Sequence, residues 1–149
     1  MTGNVIKRRC RGLIKKKYFL PAYIFALLIF ISSSVPTGQV QEARASSSLL
    51  DIILSDFSLH SCIFGVFAVL LCWGFYKARN SSIPYIKIGL LSVGYGLFIE
   101  FYQYFLPYRS LRLDDLIADA VGVIVFSFLF KIFTIVVKHR QSVTNSAQR

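Results

Sequence analysis

Three polar pairs stand at helical spacing in an otherwise apolar chain. Asp56 and His60 are four residues apart, Glu100 and Gln103 three, and Asp115 and Asp119 four. On a helix each pair shares a face. A histidine beside carboxylates can exchange protons near neutral pH. Arg109 can hold a phosphate or a carboxylate through its planar fork. His60, Glu100 and Asp119 could also ligate a divalent metal, although their spacing is not diagnostic of a metal site. No nucleophile motif, glycine-rich phosphate loop or zinc signature accompanies them. Catalysis is therefore left open.

The stretch 100–119 carries four of the chain's seven acidic residues, Glu100, Asp114, Asp115 and Asp119. It sits where two apolar segments meet, and charge inside or beside a membrane span is costly enough to suggest function. Glu100 weighs most. If Pro107 ends its helix, the carboxylate lies about 10 Å inside that end and requires a partner, water or a proton. The others have ordinary readings as well. His60 can be a structural hydrogen-bonding residue, and Asp115 a first-turn acid favoured by the helix dipole. Arg109 can neutralise Asp114 or Asp115. Lys131 reads as a snorkelling residue and His139 as a topogenic one.

Long apolar helices must position these groups. Of 149 residues 55% are hydrophobic and only 16% charged, with a mean hydropathy of +0.59. Soluble domains hold about 45–50% apolar residues. Four apolar segments account for the excess: 18–31, extending through three serines to Pro36, then about 57–76, 85–106 and 115–137. The expected fold is all-α, a polytopic membrane protein built as a four-transmembrane-helix bundle. Residues 1–17 form a basic cytoplasmic tail, 18–137 the membrane domain and 138–149 a polar cytoplasmic tail, disordered from 141. Ala43-Arg44-Ala45 has the form of a signal-cleavage triplet but lies well past the apolar core, so the first span is read as uncleaved. Residues 37–48 form a loop. Residues 49–54 are too short to span and either lie at the interface or extend the second helix outward.

Smaller features complete the reading. Gly89, Gly94 and Gly96, and likewise Ala118 and Gly122, allow close helix approach. Trp73 and Tyr76 fit an interfacial aromatic belt. Cys62 and Cys72 lie about 15 Å apart on one helix, too far for a disulfide, and are expected to be small buried thiols, with Cys10 in the basic tail.

The net charge of +10 does not indicate nucleic acid, because the basic residues cluster beside apolar segments. Fourteen of the seventeen fall on one side of the spans, and only Arg44, Arg109 and Arg112 on the other. Both termini are then cytoplasmic, and the membrane is the cytoplasmic (inner) one. Asp56, His60, Glu100, Gln103, Arg109, Asp115 and Asp119 fall at the outer end, as a candidate polar pocket. Its partners would be membrane lipids and, as the family resemblance below implies, a lipid-linked or peptidyl envelope component, bound or modified. Two alternatives stand beside this. One is a non-catalytic binding or assembly protein; the other is a small proton-coupled transporter, less favoured because the inner half offers few polar groups.

The chain resembles the VanZ-like family. The resemblance rests on I-S-S-S-x-P (Ile31 to Pro36), D-x-x-x-H (Asp56, His60), E-x-x-Q-x-x-x-P-x-R (Glu100, Gln103, Pro107, Arg109) and D-x-x-x-D-x-x-G (Asp115, Asp119, Gly122). It covers about residues 20 to 135. Phe57 stands where a lysine is frequent and Asp119 where an asparagine is frequent, which alters the charge balance of the pocket. The resemblance implies a bacterial multi-pass membrane protein. The family's founding member is linked to low-level teicoplanin resistance, a property that does not transfer automatically to relatives.

Overall fold

The computed structural model describes residues 16–34, 56–79, 83–106 and 113–147. Among them are four helices and no strand: α1 (Leu20–Ser33), α2 (Asp56–Arg79), α3 (Tyr85–Tyr104) and α4 (Leu113–Ala147). Pro21 occupies the first turn of α1, where its missing N–H costs nothing. Three serines end that helix. Ser32 Oγ donates to the Ile29 carbonyl, and Ser33 and Ser34 Oγ to that of Phe30, at 2.7–3.0 Å. Such back-bonding competes with helix continuation. α4 opens on Asp114 and Asp115, acids that complement the positive end of the helix dipole.

The helices alternate in direction. Phe19 of α1 packs edge-on to Phe75 of α2, their ring centroids 4.9 Å apart, so the start of α1 meets the end of α2. Tyr95 of α3 donates to the Ala26 carbonyl of α1 at 2.7 Å, and Gln103 Nε2 to that of Ser33 at 3.3 Å. These contacts keep a constant offset, so α1 and α3 run the same way. α2 and α4 also run parallel, with the most extensive interface in the bundle. The core between them holds Phe64, Phe67, Ala68, Leu71, Cys72, Ile88, Ile99 and Val123.

Two helices, α2 and α4, are long and apolar enough by length and composition to cross a membrane. The 14 residues of α1 reach only about 21 Å. α3 has 20 residues, but Lys87, Glu100, Gln103 and four tyrosines lower its hydropathy.

Several expectations change. The tail from 141 is helical as far as Ala147, because nothing after Val137 breaks the helix. No proline or glycine intervenes, and the helix runs on even though the Ser142, Thr144 and Ser146 hydroxyls bond back to carbonyls three or four residues earlier. α3 closes at Tyr104, capped by Phe105 N–H, so Glu100 lies about 6 Å inside that end rather than 10 Å. A Cβ on Gly89 or Gly94 would meet nothing within 4 Å, so neither mediates close approach. Gly65 and Gly74 do, against Phe126 and Phe19. Cys72 is buried but Cys62 is exposed, since ten residues of helix turn the two to different faces. Pro36, the 37–48 loop, residues 49–54, Pro107 and Arg109 lie outside the described residues.

Candidate functional site

The register between α2 and α4 builds the site. Ser61 Oγ donates to the Ala118 carbonyl at 2.9 Å. One turn on, Gly122 lies against the Ser61 backbone so closely that any Cβ would strike its carbonyl. This bond and contact hold the helices together at one height, which sets His60 opposite Asp119. His60 Nδ1 is 3.0 Å from Asp119 Oδ1, and Nε2 is 3.7 Å from Asp115 Oδ2. An ionised Asp119 only accepts hydrogen bonds, and in that state Nδ1 carries the shared proton; the second distance is too long for a hydrogen bond. The imidazole is 24% exposed, while the Asp119 and Asp115 side chains are 2% and 7% exposed.

α3 closes the third side. Its Gly96 stands over Asp119, and a Cβ there would come 2.5 Å from Oδ2. One turn further, Glu100 is 3% exposed and acts electrostatically on the His60 ring together with Asp119 and Asp115. Gln103, also 3% exposed, ties this end of α3 to α1 through Ser33, and Tyr102 OH lies 3.3 Å from Ser34 Oγ, to which it can donate.

Of the residues singled out by spacing, His60, Asp115 and Asp119 thus meet between α2 and α4, with Glu100 of α3 buried and close enough to act electrostatically on His60. Gln103 sits at their edge as a link to α1. Asp56 is half-buried one turn before His60, in the first turn of α2. Asp114 points outward. Among the described residues no three His, Cys, Asp or Glu side chains are grouped to hold a metal ion, so His60, Glu100 and Asp119 do not converge as ligands. Ser61 was missed, and so was the part of Tyr102. A serine next to the histidine looks like any small helical residue, and only the facing Ala118 carbonyl gives it a role.

Chemically the cluster presents one partly exposed imidazole held by a buried carboxylate. Such a pair orients the ring through Nδ1, and Nε2 faces Asp115.

The family model described as VanZ/LLP1 matches residues 18–134, most of the chain, with α2, α3 and the part of α4 that carries Asp115 and Asp119. The chain belongs to the VanZ/LLP1 family. No curated protein and no solved structure matches it.

Proposed function

Proceeding from membership of the VanZ/LLP1 family, we propose a four-span bundle in the cytoplasmic membrane whose His60–Asp119–Asp115–Glu100 cluster opens to the outer face. There it binds or modifies a lipid-linked or peptidyl component of the envelope. The observation that carries this reading is the partly exposed imidazole set between two buried carboxylates. Packing alone would not call for ionisable groups from three helices at one depth, since each is expensive to desolvate.

The membrane setting is supported by the outer surface of the bundle. Ile86, Leu90, Ile124, Phe128, Phe133 and many other large apolar side chains point outward. A soluble monomer rarely leaves so continuous an apolar surface in water. The up-down-up-down order of the helices suits four crossings, and the fourteen-to-three distribution of basic residues puts both termini inside. Arg109 would stand at the rim for a phosphate or carboxylate. Catalysis would run through His60 as acid or base; binding without turnover would use the same groups.

The test pairs two measurements on protein inserted at equal levels in the membrane. In the first, teicoplanin susceptibility of an expressing bacterium is compared for the unmodified chain, Glu100→Gln and His60→Ala. In the second, a lipid-linked wall precursor is titrated against the purified protein, with phosphatidylglycerol as control. The reading requires precursor-specific stabilisation that both substitutions abolish. Equal shifts for precursor and phosphatidylglycerol, or full retention in both variants, would sink it.

A further inference from the structure

The inner half of the bundle carries buried polar groups that the site does not use. Ser92 of α3 is fully buried, and its Oγ has no hydrogen-bond partner. Ser127 Oγ of α4 is likewise buried, with no oxygen or nitrogen partner and the Cys72 thiol as its polar neighbour. Cys72 of α2, also fully buried, lies alongside Ser127. Beyond them Thr134, 8% exposed, meets Tyr85 at the start of α3. A hydroxyl buried without a partner is costly, so two of them in one bundle call for an explanation.

These groups form a staircase. Gly96 is level with Asp119. From there Ser92 is about 6 Å inward and Ser127 about 12 Å, at 1.5 Å per residue. Tyr85 is about 17 Å inward and Thr134 about 22 Å by the same rise. One water making two hydrogen bonds of about 2.8 Å covers nearly 6 Å, so each of these axial rises takes at least one water, and the lateral offset between α3 and α4 adds to that. The staircase begins at the outer cluster and ends beside exposed Lys87 and Lys131. It therefore crosses most of a hydrocarbon layer about 30 Å thick.

We propose that Ser92 and Ser127 hold a file of internal water that carries protons between the inner end, at Tyr85 and Thr134, and the His60–Asp119 pair. The ligand class is water, and the transferred species is a proton handed from oxygen to oxygen, with no bond to carbon made or broken. The ionisable groups facing the file are His60, Asp115, Asp119 and Glu100 at its head, with Cys72 and Tyr85 further in. Phe64 interrupts it. This ring is 2% exposed and lies 3.3 Å from where a Gly96 Cβ would stand, at the level of Asp119. It acts as a hydrophobic plug that must swing aside for the water to join.

The experiment needs no envelope ligand, so its outcome is independent of the function proposed above. The full chain is reconstituted into vesicles of phosphatidylethanolamine and phosphatidylglycerol holding a pH-sensitive dye, and a potassium diffusion potential drives protons inward. The protein should acidify the vesicles faster than the empty-vesicle leak. The Ser92→Ala, Ser127→Ala double variant should lose about tenfold of that flux, while Ser92→Thr, which keeps the hydroxyl, retains it. Phe64→Ala should raise it by a similar factor. Helicity and monodispersity are measured on each variant before reconstitution, and Ser92→Thr controls for misfolding of the alanine pair. Flux no greater than in empty vesicles, or equal flux in the double alanine variant, overturns the proposal.

Discussion

The imidazole of His60 on α2 and the carboxylate of Asp119 on α4 meet at 3.0 Å across the most extensive helix interface in the molecule. The two residues are 59 positions apart in sequence. What aligns them is a serine–carbonyl bond and a glycine one turn away, not any property of the pair itself.

Asp119→Asn keeps an oxygen that can accept from His60 Nδ1 but removes the charge. Asp119→Ala removes both and leaves the imidazole without its partner. The asparagine should cost about 1 kcal/mol or less, and the alanine about 1–3 kcal/mol. Thermal unfolding of the purified variants in detergent measures both, and an equal loss for the two would show that hydrogen bonding does not hold the pair.

The glycines separate into two groups. Gly122→Ala forces the Ser61 carbonyl away and should cost about 1–3 kcal/mol through overpacking. Gly89→Ala and Gly94→Ala meet open space and should gain about 0.5–1 kcal/mol each from reduced backbone freedom. The same unfolding assay ranks them. If Gly122→Ala were neutral, the close α2–α4 approach at the site would be wrong.

Gln103 joins the site end of α3 to α1 through the Ser33 carbonyl at 3.3 Å. Gln103→Leu keeps the bulk and leaves that carbonyl without its side-chain donor, for a loss of about 1 kcal/mol. Because Gln103 does not touch His60, the His60–Asp119 bond should survive. An imidazole N–H resonance followed by NMR in detergent would report it, and its disappearance in Gln103→Leu would show that α1 helps hold the site.

Cysteines placed in the 37–48 loop should react with impermeant reagents from outside intact cells, and cysteines at 141–147 only after permeabilisation. Spin labels along 138–147 should show the four-residue periodicity of a continuous helix. Outside labelling of the C-terminal segment would end the four-span topology; isotropic, fast motion of every label would contradict the extended α4.

Much was legible in the residues alone, for a physical reason. Helices in an apolar chain announce themselves by run length, and polar groups within them are rare enough to stand out. α2, α3 and α4 therefore begin within two residues of the positions that hydropathy suggests, and Glu100, His60 and Asp119 identify themselves by cost. The C-terminal boundaries were less legible. No breaker follows Val137, so hydrogen bonding carries α4 on to Ala147 although polarity had suggested a tail.

Facing was decided only by the tertiary structure. Gly89, Gly94 and Gly96 look alike as a sequence, yet one of the three meets a carboxylate while the others meet open space. Ser61, Ser92 and Ser127 are equally silent, since a serine acquires a role from the atom opposite it. For Ser61 that atom is a carbonyl on α4, for Ser127 the neighbour is the Cys72 thiol, and Ser92 has no hydrogen-bond partner. A helix reveals its own period, but the rotation and height at which it meets its neighbour are set by packing between distant residues, and those decide which polar groups share a site.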